Sequence, residues 1–369
     1  MRPRNDNILI ISSYLNVPGG YEKMISSAAN LFSRQGWAVT ILILDYNSST
    51  YYHIDKEVTI IQDHLTFGID EGGTTFSRKL NLVKHIRKLK KHFATLQPGI
   101  VICTEYIFTV AAILANIHKD AKVFSWEHHH FYWLKKNRFW KFLIQKTYPK
   151  LNAVICMSEA EKSIFERFSK VIVIPNFIES LENNTSPSKH KLILSVGGLI
   201  ERKGIDLLLP IAKKILLVNQ GWSWKLIGDG VMKNVVLKFI NENNLQGRFI
   251  LEEPPGADLS KEYKNAAIFV LTSRFEAFGM VLVEAMSHSV PCVSFDCPSG
   301  PSEIIDHKVN GFLVESEDTS EMIDQIEYLI QNENIRVEMG RNAKDKSAQY
   351  SAENIYPLWE QAFTGTPKN

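Results

Sequence analysis

Cysteine is scarce. The 369 residues hold four, Cys103, Cys156, Cys292 and Cys297, scattered and mostly inside apolar runs. The scatter excludes a disulfide framework. The single close pair, Cys292-x4-Cys297, has no second pair to complete a zinc site, so buried thiols in a reducing compartment are expected. Long hydrophobic runs are missing too: none approaches the ~20 residues needed to span a bilayer. The opening Met1-Arg-Pro-Arg-Asn-Asp-Asn leads into only four apolar residues, Ile8–Ile11. They are too few for a signal-peptide core and read as a first strand. A cytoplasmic protein is expected, peripheral on the inner face of the membrane at most. There is no short-period repeat and no low-complexity tract outside residues 176–190. A Gly-x-Gly-x-x-Gly with an acid ~20 residues on is also absent, which counts against a nicotinamide or flavin enzyme.

What is present is ordinary in bulk: 45% hydrophobic and 22% charged residues, the proportions of a soluble globular protein, at a length that favours two domains. The net charge of +2 hides an asymmetry. Residues 1–177 carry 23 Lys and Arg against 14 Asp and Glu, a net of +9, and the remainder carries 19 against 26, a net of −7. A basic front half suggests an anionic surface facing it.

Apolar strands alternate with helically spaced segments along the chain. Strands are predicted at Ile8–Ser12, Ala38–Leu44, Gly99–Cys103, Ala121–Ser125, Ala153–Cys156 and Val171–Ile174, with helices between them and an irregular stretch after Leu44. Polar residues 176–190 read as a linker. A second βα series starts at Leu192–Val196 and runs through strands ending near Ile227, Leu251, Leu271, Phe295 and Val314. This order predicts two doubly wound parallel sheets with ligands at the carboxyl ends of their strands. The expected division is an N-terminal Rossmann-like domain over 1–177, a linker over 178–190, a C-terminal Rossmann-like domain over 191–350, and a terminal helix over 351–369 packing back on the first domain.

The most informative stretch follows the apolar run Ala267–Leu271. Thr272–Phe275 form a polar turn, and Gly279 opens a helix whose Val281, Leu282, Ala285 and Met286 recur at helical spacing. Glu276 then sits in the loop and Glu284 about one and a half turns into the helix. Between them the amides of Phe278, Gly279, Met280 and Val281 have no intrahelical partner and favour an anion. Two acids bracketing an anion site suit a ligand with a phosphate centre and hydroxyls at both ends, such as a nucleotide sugar.

The string Glu276-Ala-Phe-Gly-Met-Val-Leu-Val-Glu284 resembles the Glu-x7-Glu signature of the retaining glycosyltransferases of family 4 (glycosyl transferases group 1). The family's fold is GT-B: α/β, with two Rossmann-like domains facing a central cleft. The resemblance implies Glu284 on the donor's ribose, the amides of Phe278–Val281 with Lys203 on its pyrophosphate, and Glu276 with His128 on the sugar hydroxyls, both acids facing an open cleft.

Further segments fit the same family. Val196-Gly-Gly-Leu-Ile-Glu-Arg-Lys-Gly204 resembles its Gly-Arg-Leu…Lys-Gly loop. Lys203 matches the Lys, but Gly198 stands where the family usually has Arg, and Arg202 is the nearest replacement. A cation pair at a helix start is disfavoured by the helix dipole unless an anion joins it. Gly228 lies in Ile227-Gly-Asp-Gly230, resembling a turn that shapes the nucleotide pocket; capping of the next helix is the favoured role of Asp229. Gly19-Gly20, in the first βα turn, either lets backbone approach the donor or acceptor, as in the family, or is a plain turn pair. In Trp126-Glu-His-His-His130, sugar contact by His128 ranks above a structural role and above a metal site, because three adjacent His cannot all face one ion. Asp296-Cys-Pro-Ser-Gly300 resembles a segment of members that build surface polysaccharides from UDP-sugars.

Two basic segments remain, 78–92 with Leu80, Val83, Ile86 and Leu89 as an apolar stripe, and Lys135–Phe142. Without any nucleic-acid-binding motif they read as solvated faces, or as docking to anionic lipid where lipid-linked acceptors are assembled. The resulting expectation is retaining transfer of a hexose or N-acetylhexosamine from a UDP-sugar to a glycan acceptor on a lipid carrier, with no metal or other cofactor and no nucleic-acid partner. The rivals are a nucleotide-sugar epimerase of the same two-domain shape and a non-catalytic nucleotide-sugar or lipid-surface binding module.

Overall fold

A computed structural model describes residues 7–44, 49–67, 75–128, 137–179 and 190–365, with the backbone alone for 75–80. The chain forms two units, Met1–Pro175 with Tyr356–Asn369, and Asn176–Ile355.

The first unit is built on continuous apolar strands, as a sheet covered on both faces requires. In β1 (Asn7–Ser12) every residue after Asn7 is buried. It leads through α1 (Gly20–Arg34) to β2 (Ala38–Ile43) and β3 (Thr59–Gln62). Then come α2 (Thr75–Leu96), β4 (Ile100–Cys103), α3 (Tyr106–Leu114), β5 (Lys122–Trp126) and α4 (Arg138–Thr147). The series ends with β6 (Ala153–Cys156), α5 (Glu159–Phe165) and β7 (Val171–Val173). Among the described residues the sheet order is β3-β2-β1-β4-β5-β6-β7, all parallel. β3 falls in the stretch read as irregular: as an edge strand it is mostly exposed, so it carries no apolar signature. The apolar stripe of α2 also differs from expectation. Leu82, His85 and Leu89 are buried and Val83 is exposed, while the side chain of Leu80 lies outside the described residues.

The second unit repeats the plan. β8 (Leu192–Val196), α6 (Ile205–Val218), β9 (Ser223–Ile227), α7 (Lys233–Glu242) and β10 (Phe249–Glu252) precede α8 (Ser260–Asn265) and β11 (Ile268–Leu271). They are followed by α9 (Met280–Ser287), β12 (Cys292–Phe295), α10 (Pro301–Ile304), β13 (Gly311–Val314), α11 (Thr319–Gln331) and α12 (Glu333–Ser347). The order is β10-β9-β8-β11-β12-β13, again parallel. The core under it gathers Ile205, Leu208, Ile211, Ala212 and Ile215 of α6, one helical face by spacing. Ile178 belongs here: its N–H donates to Tyr350 O and its carbonyl accepts from Ala352 N–H. Of the expected linker, 180–189 lie outside the described residues.

The last helix, α13 (Ala352–Thr364), enters the first unit at Tyr356. There Trp359 and Phe363 meet Phe32, and Phe363 also meets Trp37 and Phe124 edge to face. The Trp37 indole donates to Tyr356 Oη at 3.1 Å and Lys122 Nζ to Phe363 O at 2.7 Å.

Both sheets reverse direction beside their first strand, β1 against β4 and β8 against β11. Loops leaving adjacent strands in opposite directions open a crevice at the carboxyl ends, where ligands of doubly wound folds bind. The sites sought from sequence fall at these two points.

Candidate active site

In the second unit the loop after β8 is shaped by glycine. Gly204 has φ +65°, and a Cβ there would lie 1.9 Å from the Thr272 carbonyl oxygen. Only glycine lets this loop touch the one after β11. Thr272 Oγ1 donates to the carbonyls of Lys203 (3.1 Å) and Gly204 (3.2 Å), and Arg274 N–H to Arg202 O at 2.9 Å. The loop after β9 closes from the other side. A Cβ on Gly228 would meet Gly197 O at 2.0 Å, and Leu199 N–H donates to Asp229 O at 2.8 Å. Gly198 is different: the nearest atoms to an added Cβ are at 3.9 and 4.0 Å, so a side chain has room there. Asp229 does not cap the next helix. α7 starts at Lys233 with Met232 at the N-cap, and the Asp229 carboxylate lies 3.8 Å from Lys233 Nζ.

These contacts bring Lys203 to Glu276. Lys203 Nζ donates to Glu276 Oε1 at 2.5 Å, and Ser273 Oγ to the same oxygen at 2.6 Å. Glu276 also holds the loop after β12, since Ser299 Oγ donates to its carbonyl at 2.9 Å. The carboxylate is 9% exposed and the ammonium 18%, so the pair is part-buried, where fully open acids were expected. Beside it, burial pushes the Cys297 thiol up to about 12, leaving it protonated and inert. Arg274 plays another part. It grips Asp206 with two hydrogen bonds of 2.7 Å and Glu317 with one of 2.6 Å, clamping the loop to α6 and the segment before α11.

Gly279 is the N-cap of α9 with φ +99°. Leu282 N–H donates to Gly279 O, and the amides of Phe278, Gly279, Met280 and Val281 have no backbone acceptor among the described residues. The Phe278 side chain is turned inward, edge-on to Tyr350 at 5.5 Å. Glu284 is the fifth residue of α9, little more than one turn in, and nearly buried. Tyr263 Oη donates to its Oε2 at 2.7 Å.

In the first unit Gly19 is the extended N-cap of α1 and Gly20 its first residue. Tyr21, next in line, ties three strand ends together. Its hydroxyl bonds Thr104 Oγ1 (2.6 Å) and Ser12 Oγ (3.1 Å), and its ring stands edge-on to His128 at 5.0 Å. His128 is buried, with its ring also 4.2 Å from that of Trp126. His129 and His130 lie outside the described residues. Ser13 Oγ donates to Glu105 Oε1 at 2.8 Å. Burial raises the carboxyls of both Glu105 and Glu22, the latter to about 7.

The structure thus joins Lys203, Arg202 and Gly228 with Glu276 and the α9 start at one switch point, and Gly19, Gly20 and His128 at the other. Sequence reasoning missed Tyr21, Glu22, Glu105, Ser273 and Tyr263. None stands in a recognisable motif; only Glu22, an acid in a helix first turn, carried a local signal.

Doubly wound units with glycine-shaped turns at the switch point form a class of fold whose ligands sit at the carboxyl ends of the strands. Two family models match the chain, "Glycosyltransferase Family 4" over residues 18–180 and "Glycosyl transferases group 1" over 176–346. An uncharacterized glycosyltransferase of Haemophilus influenzae (strain Rd) is 27% identical over 353 residues, 93% of this chain and 95% of its own. The amylovoran biosynthesis glycosyltransferase AmsD of Erwinia amylovora is 26% identical over 368 residues, 95% and 98% of the two chains. Among solved structures, an S. aureus TarM variant in complex with fondaparinux, alpha-GlcNAc-glycerol and UDP superposes with a TM-score of 0.80 at 17% identity, over 97% of this chain and 99% of that one. The chain belongs to the family 4 glycosyltransferases, with the GT-B fold.

Proposed function

We propose that this glycosyltransferase moves a hexose or N-acetylhexosamine, with retention, from a UDP-sugar to a growing surface polysaccharide on a lipid carrier. The observation that carries this reading is the pairing of Lys203 with Glu276 beside the α9 start, with Glu284 one turn further on. The unpartnered amides and the lysine offer charge to a pyrophosphate, where negative charge grows as the nucleotide leaves. Glu284 takes the ribose hydroxyls, and Glu276 takes those of the sugar. In this assignment the incoming phosphate shares Lys203 with Glu276, so donor binding loosens the pair and frees the carboxylate to accept from the sugar. No protein nucleophile is assigned: the leaving phosphate takes the acceptor's proton on the same face.

A UDP complex of the TarM variant and the amylovoran assignment of the Erwinia relative support the donor and acceptor classes. Thermal unfolding against a panel of UDP- and GDP-sugars tests the donor: a ligand at 100 times its Kd adds ~2.7 kcal/mol. Turnover must also require an acceptor. Sugar inversion at a ring carbon without acceptor would replace this reading with an epimerase, and binding without turnover with a binding module.

A further inference from the structure

We propose that Tyr263 is a positioning residue that sets Glu284 for a vicinal diol, and so decides whether the site tells a ribonucleotide from its deoxy form. The proposal rests on the assignment of Glu284 to the donor ribose. Tyr263 lies on α8 just before β11 and Glu284 on α9 just after it, so the 2.7 Å bond between phenol and Oε2 spans the strand that carries the site. Tyr263 is 2% exposed. Its ring stacks on His288 at 5.6 Å and 26°, and packs on Phe269 at 5.9 Å, so the hydroxyl has little freedom. The other end of Glu284 is fixed as well. Its carbonyl accepts from Ser287 Oγ at 2.7 Å and pairs with His288 Nδ1 at 2.8 Å. A carbonyl can only accept, so Nδ1 carries the proton.

A glutamate side chain has three rotatable bonds, and an unheld carboxylate samples many planes. Here the phenol fixes one oxygen, which fixes the plane. A carboxylate has about four lone-pair sites, so the phenol's bond does not by itself fill it, and a diol must meet it in the orientation that bond sets. A phenol serving only to satisfy a buried acid would matter to stability alone. A positioning phenol matters to diol recognition.

Tyr263→Phe separates the two, since it keeps the stack on His288 and the packing on Phe269 and deletes only the donor. Calorimetric titration of the full chain with UDP and with 2′,3′-dideoxyuridine diphosphate reads the preference for the diol. The wild type should prefer UDP, and Tyr263→Phe should cut that preference by about 10-fold, the worth of one hydrogen bond to a charged group. Glu284→Gln is measured in parallel. An unchanged ratio in Tyr263→Phe while Glu284→Gln abolishes the preference would overturn the positioning role, leaving a structural phenol. An unchanged ratio in both variants removes Glu284 from the ribose, and the proposal falls with that assignment.

Discussion

Glu276 and Glu284 share one loop–helix segment but answer to different partners, and they should fail differently when neutralised. The ribose assigned to Glu284 is unchanged by the reaction, so Glu284→Gln should mainly raise the donor KM, as lost uniform binding does. Glu276 is assigned to a sugar that gains positive charge in the transition state. Glu276→Gln should lower kcat itself, by ~10²–10³. Steady-state kinetics with an identified donor checks both, and two fully active variants would remove the site. Burial adds a second expectation. The Lys203–Glu276 pair is largely desolvated, and losing one partner leaves a poorly solvated charge, so Glu276→Gln should also lower the melting temperature. The sequence suggested open-cleft acids because spacing shows which loop a residue occupies and not what reaches it from β8. A related expectation concerns metal. Lys203 and the α9 amides supply the charge that a divalent ion would bring, so activity should survive chelation; loss with EDTA and recovery with Mn2+ would contradict it.

At the scale of elements, the site depends on loops meeting without side chains between them. Gly204→Ala must place a Cβ against the Thr272 carbonyl at a positive φ, and destabilisation on the order of 2–4 kcal/mol is expected. Gly198→Ala, with open surroundings, should cost well under 1 kcal/mol; urea denaturation of the pair makes the comparison. In the first unit, α1 opens with a buried acid. The Glu22 carboxyl is raised to about 7, chiefly by burial and further by the charge of Glu105. A raised acid binds its proton more tightly folded than unfolded. Its contribution is therefore intact below the ordinary carboxylate range and is lost as pH climbs from about 4.5 through about 7. Glu22→Gln should match the wild type at pH 4 and exceed its melting temperature at pH 8. An equal gap at both pH values would mean that the carboxyl is not perturbed. These elements also show what the chain announces. Continuous apolar runs such as Ile8–Ile11 and Ile268–Leu271 declare buried parallel strands, and the Glu-x7-Glu string declares the second switch point. Edge strand β3, the inward turn of Tyr263 and the Tyr21 bridge are products of tertiary contact, and no local period encodes them.

At the scale of the whole molecule the charge asymmetry, +9 over residues 1–177 against −7 over the rest, has a structural location. Helices α2 and α4 both pack on α3. The exposed face of α2 carries Lys84, Arg87, Lys90 and Lys91 beside Val83, and that of α4 carries Arg138, Lys141 and Lys146 beside Phe139 and Phe142. Cations around exposed aromatic rings suit the surface of an anionic bilayer, where the charges meet headgroups and the rings enter the interface. No helix among the described residues is long and apolar enough to cross a membrane. Each basic residue near such a surface adds ~1 kcal/mol. Changing Lys84, Arg87, Lys90 and Lys91 to Gln should therefore weaken vesicle binding by roughly three orders of magnitude. Co-sedimentation with vesicles of defined composition checks this. Binding should require anionic lipid and fall as salt shortens the Debye length from ~10 Å at 0.1 M. Phe142→Ala should weaken it without steepening the salt dependence, since the ring contributes area and not charge. Equal binding to neutral vesicles, or none at any salt, would remove the anionic-membrane reading of this face.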